Sequence, residues 1–373
     1  MCGGRHDLGE QDHEEAAVVT SRDRVEAALR HREPDRTPAF EYVLLAPMAD
    51  VLLGRSSATD PDRWPQALQA YGWEEAVRRM AADYVELAER LGHDLIYAVP
   101  NPLPPASGGP TAAAVPEVDG PVERLEQRNA MAALSDPSPP DETLLVYVFM
   151  REEMARRGLD LPLIAPAYAH GVWTDTDLME TMVLAPEVAR EHFALATRRS
   201  LAAVGKYLKL GIDIIGVGGD FAGNRPILSP TMYREFIVPE VRTVARRIRE
   251  GGAWSVNASD GNLWPVIEDF LIGCEVDGYL EIDWGAGMDL QKLKEAYGSR
   301  ITFFGSLDCG SILSFSTPEV VAQHTIACIE AGWGGGGHIL CASNAVTSSV
   351  PLENYLAAVN AYRAYFSLPP FRP

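Results

Sequence analysis

A-W-S-V-N-A-S-D-G, residues 253–261, opens as a β-rich run and ends in small polar side chains, none long enough to fill a space. Inside an apolar core strand Asn257, Ser259 and Asp260 would have no use, because each buried polar group left unpaired costs about 1–3 kcal/mol. At the carboxyl end of a barrel strand the same residues read as the lining of a pocket. The surrounding sequence makes this strand one of eight.

Upstream, the β-rich runs are A-F-E-Y-V-L-L (39–45), H-D-L-I-Y-A-V (93–99), L-P-L-I-A-P-A-Y-A-H (161–170) and G-I-D-I-I-G-V-G-G-D (211–220). Downstream they are C-E-V-D-G-Y-L-E-I-D (274–283), I-T-F-F-G-S-L-D (301–308) and G-H-I-L-C-A-S-N (337–344). Helical spacing of apolar residues separates them, over 65–91, from 141, and over 177–210, 229–250, 263–272, 289–298 and 317–331, with a last helix at 353–366. An N-terminal helix starts at Ser21, an N-cap candidate, and carries Val25, Ala28 and Leu29 on one face. Residues 100–140 are rich in Pro, Gly and Ala and predict a long loop after the second strand.

Short strands alternating with helices long enough for right-handed crossovers predict a single α/β (β/α)8 TIM barrel over residues 21–373, with a loose tail over 1–20. A doubly wound open sheet is the alternative. Two features favour the barrel: polar residues collect at the ends of many strands, and no G-x-G-x-x-G opens a helix after the first strand.

Charge excludes some functions. Lys and Arg number 32 against 52 Asp and Glu, a formal net charge of −20, and no basic cluster could track a phosphate backbone, so nucleic acid is not an expected partner. No apolar run reaches the roughly 20 residues of a membrane span, and no secretory h-region stands at the N-terminus. The five cysteines are odd in number and form no C-x-x-C pair, which fits a reducing compartment and a cytoplasmic protein.

Several segments resemble the uroporphyrinogen decarboxylase superfamily. They are S-R-D-R-V-E-A-A-L-R-H-R-E-P-D-R-T-P (21–38), L-S-P-T-M-Y-R-E-F-I-V-P (228–239), A-G-M-D-L-Q-K-L-K-E-A-Y-G (286–298), F-F-G-S-L-D (303–308), G-G-G-G-H-I-L (334–340) and V-P-L-E-N-Y (350–355). The resemblance covers about residues 20–368 and implies a barrel with one of two chemistries. One branch decarboxylates a porphyrinogen without metal; the other uses zinc to pass methyl groups between a corrinoid protein and a thiol or methoxy donor. A homodimer is a further implication.

The decarboxylase branch carries an Arg-Gln-Ala-Gly-Arg loop near the first strand, where this chain has P-A-F-E-Y-V-L-L-A-P (38–47). Glu41 and Tyr42 cannot replace guanidiniums facing substrate carboxylates. The thiol branch shows His-x-Cys at the end of strand five and Cys after strand eight. The matching positions here are Asn257, Ser259 and Asn344, poor zinc ligands beside thiolate and imidazole. The usual zinc site is therefore expected to be lost, with Asp220, His338 and Cys341, and beyond them Asp283 and Glu281, as candidates for a displaced metal site; strand alternation sets His338 and Cys341 on opposite faces.

Asp220 ends V-G-G-D, where two glycines allow close approach, and is expected in the site with Asp260. His170 ends strand three and is a mouth candidate, with burial as its alternative. Tyr42, Tyr168, Asn257, Ser259, Glu281, Asp308 and Asn344 complete the expected substrate-binding set, though Asp308 could equally cap a helix. Cys341 and Cys309 are expected as small core residues, His192 and His324 at the surface, and the run G-W-G-G-G-G-H (332–338) as a bottom-face turn.

Three functions follow. The first is methyl transfer from a small methoxy or methylated donor to a corrinoid protein, with Asp220, Asp260 or His170 as acid or base. The second is decarboxylation of the uroporphyrinogen type. The third is a catalytically silent barrel that binds a small molecule.

Overall fold

In the computed structural model, residues 19–105, 118–168 and 170–373 are described. The expected tail lies outside them except for residues 19 and 20.

Seven parallel strands pair in sequence order: β1 Ile96–Tyr97, β2 Leu163–Pro166, β3 Ile214–Gly218, β4 Trp254–Ala258, β5 Gly278–Leu280, β6 Thr302–Phe304 and β7 His338–Ile339. The first expected strand contributes only isolated pairings, Ala39 with Leu340 and Leu44 with Val346. Pro38 has no N–H to extend that ladder. Even so, Phe40 N–H donates to the Leu340 carbonyl at 3.1 Å and Asp94 N–H to the Ala39 carbonyl at 2.8 Å. Residue 39 thus joins the last strand to the edge leading into β1, and the wall closes.

Alternation along the wall sorts the core into two shells. Phe40, Ile164, Ile214, Val256, Leu280, Phe304, Ile339 and Cys341 fill the interior, while Ile215, Val217, Tyr279 and Phe303 face the helices. The helix Ser21–Leu29 plugs the bottom with Val25, Ala28 and Leu29, the face expected of it. Its cap is Thr20 rather than Ser21: Thr20 and Asp23 form a reciprocal capping box.

The charged residues of segment 21–38 explain themselves here. Asp94, fully buried, accepts from Arg24 at 2.8 Å, Arg36 at 2.7 Å and Ser21 at 2.9 Å. These bonds pin the plug helix and the first wall segment to the turn before β1.

Four helical expectations need correction, the first being 177–210, which is two helices, Thr176–Leu184 and Pro186–Lys209, broken at Ala185. The region 65–91 is two helices, Trp64–Tyr71 and Trp73–Leu91, split at Gly72, whose φ is 75°. The segment 263–272 holds only short, irregular turns. Within the expected loop 100–140 lies a fourteen-residue helix, Pro121–Leu134, which buries just Leu125 and Asn129. So sparse a buried face leaves little periodic signal. The run 334–337 is a bottom-face turn as expected: all four glycines have positive φ, and the amides of Gly334 and Gly336 each reach Glu33 Oε2 at 2.9 Å.

Candidate active site at the barrel mouth

Two neighbouring strand ends bring the first pair of acids together. β3 ends in Gly218 and Gly219, with φ of 92° and 143°, and Asp220 follows. After β4, Gly261 (φ 79°) lies so close to the next loop that a Cβ on it would stand 2.5 Å from the Ala222 carbonyl carbon. Gly219 N–H donates to the Ala258 carbonyl at 3.0 Å, and Asn262 N–H to the Gly223 carbonyl at 2.7 Å. Laced in this way, the loops hold the Asp260 backbone against the Asp220 carboxylate.

Glu281 is the third acid. Leu280 points into the barrel, so plain alternation would turn Glu281 outward. Its φ of 75°, left-handed for a non-glycine residue, breaks the alternation. The carboxyl comes within reach of Tyr42 and feels Asp220 and Asp260. The rings of Tyr42 and Tyr97 meet edge to face at 4.5 Å between centroids, at the β1 side of the same mouth.

Crowded acids in a half-dry place resist ionisation. Burial, then the charges of Asp220 and Asp283, push Asp260 up to about 6, while Asn344 draws it down. Burial also raises Asp220. Glu281 stands well above the carboxylate range, first through burial and then through Asp220 and Asp260, despite the Tyr42 hydroxyl nearby. Asn344 Nδ2 donates to Asp260 Oδ2 at 3.3 Å. The mouth can thus present a carboxyl that is protonated near neutrality.

The other expected residues lie elsewhere. Asn257 is fully buried and points away from the mouth: Val256 and Ala258 face the interior, while Asn257 Nδ2 donates to the Phe270 carbonyl at 3.0 Å in the helical layer. Ser259, also fully buried, donates to the Asp260 carbonyl at 3.0 Å. Tyr168 is core, turned toward the helix side chains of Glu240 and Thr197. His170 is buried, 6.3 Å from the Tyr168 ring and 5.9 Å from that of Phe221. Burial lowers it to about 4, and its ring reaches the Gly219 backbone, so it props the end of β3 as a neutral imidazole.

Asp308 takes its capping alternative, accepting the amides of Gly310 and Ile312 at 3.0 Å each. Asp283 accepts those of Gly261 and Ala286 at 3.1 and 3.0 Å. His192 and His324 are half-buried rather than surface residues: His192 meets Asn129 at 3.0 Å and His324 receives the Asp308 amide at 3.2 Å.

The displaced metal set does not assemble. His338 is buried at the bottom end of β7 and bonds the Gly305 carbonyl at 2.8 Å, Cys341 is interior core, and Asp220 is at the opposite end of the barrel from His338. Among the described residues no three His, Cys, Asp or Glu side chains are grouped to hold a metal. The positions that would carry the thiol-branch zinc fit it no better, since two are buried in the scaffold and all three offer weak donors. Tyr97, which the sequence reading passed over, is part of the mouth; its only signal was its place at the carboxyl end of β1.

The model of the family described as "Uroporphyrinogen decarboxylase (URO-D)" matches residues 113–365. Among curated proteins, uroporphyrinogen decarboxylase of Xanthomonas campestris pv. campestris (strain B100) is 24% identical over 347 residues, covering 84% of this chain and 89% of the relative. That of Xylella fastidiosa is 26% identical over 269 residues, covering 66% and 73%. Among solved structures, a methyltransferase from Methanosarcina mazei superposes with a TM-score of 0.66 at 18% identity, covering 93% of this chain and 99% of that one.

Proposed function

The chain belongs to the uroporphyrinogen decarboxylase family, a family of enzymes, and from that premise we propose that it demethylates a small neutral or cationic donor, delivering the methyl group to a corrinoid on a partner protein. The observation that carries this reading is Asp260, held up to about 6 beside Asp220 and Glu281. No arginine or lysine is among the groups that set the charge of these three acids. Such a mouth repels a polycarboxylate, which counts against uroporphyrinogen as substrate. It suits a donor whose leaving atom needs a proton.

For a methoxy donor, the corrinoid serves as the methyl acceptor. As the carbon–oxygen bond breaks, the leaving oxygen keeps the electron pair and takes a proton from Asp260, which becomes a carboxylate. Glu281, still protonated, and the Tyr42–Tyr97 pair flank the donor; the aromatic rings also suit a cationic methyl group. Asp220 keeps Asp260 protonated by its charge.

The test is incubation of the full chain with a reduced corrinoid and a panel of methanol, methoxyarenes and methylated amines. Methyl transfer to the corrinoid, lost in Asp260→Asn, supports the reading. Release of carbon dioxide from uroporphyrinogen would replace it with decarboxylation, and tight ligand binding without product would favour the silent barrel.

A further inference from the structure

Glu41 follows the wall segment at residue 39, and the alternation that turns Phe40 and Tyr42 inward turns Glu41 out of the barrel. Its carboxyl enters the layer between the wall and the helices Trp73–Leu91 and Leu352–Tyr365. The Ala342 amide and the Tyr355 hydroxyl lie nearest. Neither closes a bond of ordinary geometry: Glu41 Oε2 and Tyr355 Oη are both buried and unpartnered.

Two small cavities flank this carboxyl, one of about 40 Å³ and one of about 30 Å³, and Glu41 and His93 line both. The first extends toward Thr325 and Tyr355, the second toward Tyr84, Tyr42 and Tyr97. Glu41 and His93 are half-buried, and each lines both cavities. Each cavity exceeds the roughly 10–15 Å³ that one water needs, and each offers polar partners. Beyond the second, the Tyr42 hydroxyl lies within reach of Tyr97 and Glu281 in the mouth.

We infer that the two cavities form a buried water site in which Glu41 stores a proton for the carboxyls of the mouth, exchanging it through bound water with Tyr42 and Tyr97. The inference rests on the acid–base reading of Asp260. A proton leaving Glu41 passes to water; the Tyr42 oxygen takes one from water and gives its own to a carboxylate at Glu281, which has replenished Asp260. Glu41 is left ionised and is refilled between turnovers by a proton that solvent delivers to the empty mouth and that returns through Tyr42 and the same water. No electrons move.

The surroundings suit a store. Burial holds Glu41 up to about 7, against the pull of Ala342 and Tyr355. His93 is pushed down to about 3 by burial, so it bonds water as a neutral ring and adds no charge. The other ionisable groups that feel Glu41 are the thiols of Cys341 and Cys309 and the Tyr355 hydroxyl, all raised by burial.

Infrared difference spectra between the full chain and E41Q isolate the Glu41 carboxyl without turnover. At about pH 6, below the range where it ionises, a protonated carboxyl band absent from E41Q is expected. On dilution into heavy water this band should shift at once in the native chain and several-fold more slowly in Y42F. Absence of the band, or equal exchange in Y42F, overturns the inference, and neither result touches methyl transfer, which is measured separately. Should E41Q fail to fold, solvent density beside Glu41 in a crystal of the full chain decides instead; cavities without density overturn it.

Discussion

Asn344 Nδ2 donates to Asp260 Oδ2 at 3.3 Å, tying the loop after β7 to the end of β4 across the barrel mouth. The Asn344 amide favours the ionised form of Asp260. Burial and the charge of Asp220 oppose it. The protonation of Asp260 is a balance between named neighbours, and each can be removed.

Asp220→Asn and Asn344→Ala should therefore shift Asp260 in opposite directions. Removing the like charge of Asp220 lowers its pKa from about 6, and removing the Asn344 donor raises it. A general acid is active while protonated, so its rate falls as pH rises through the pKa. That fall should move to lower pH in D220N and higher pH in N344A, read from carboxyl ¹³C NMR titrations or rate profiles.

Asn257→Ala should behave as a scaffold lesion. Loss of the bond to the Phe270 carbonyl leaves a buried acceptor unpaired, at about 1–3 kcal/mol in stability. Urea denaturation measures the loss. KM for the donor should stay unchanged, and a KM that rises sharply without loss of stability would return Asn257 to the mouth.

Asp94→Ala should be among the costliest substitutions. It strands the Arg24 and Arg36 guanidiniums, which meet Asp94 at 2.8 and 2.7 Å, the former nearly buried. Breaking a buried pair by removing one partner costs about 3–5 kcal/mol. Native-state hydrogen exchange should show the plug helix opening first.

Glu41→Gln should alter how stability depends on pH. The unfolded chain ionises Glu41 near its ordinary 4.5 and the folded chain holds the proton to about 7. The folded state then binds more protons between those values, so the native chain loses stability as pH rises through that window and levels off above it. The loss is roughly 3 kcal/mol at most. E41Q should melt with the native chain at the acid end and higher than it above pH 7; identical melting curves across the range would contradict burial of an ionisable Glu41.

Where the sequence reading succeeded, the signal was local. Seven of the eight β-rich runs are strands, legible because alternation and helical periodicity are properties of consecutive residues, while the first, 39–45, forms only isolated pairings. Asp220, Asp260, Glu281, Tyr42 and Asn344, all in the expected site set, do come together at one mouth. The helix Pro121–Leu134 escaped because it buries too few side chains to leave a period. Asn257 and Ser259 were misread because a polar run at a strand end has two solutions, lining a pocket or bonding the backbone around it.

The sequence by itself determined the barrel, its amphipathic N-terminal helix and the absence of a cationic clamp beside the first wall segment, since composition and period carry that information. Only the tertiary structure decided which polar side chains meet. That depends on single backbone torsions such as φ 75° at Glu281, and on close approaches such as Gly261 against Ala222. A change of sign in one φ redirects a side chain from the helices to the mouth, and the contacts that hold it there come from residues far away in the chain.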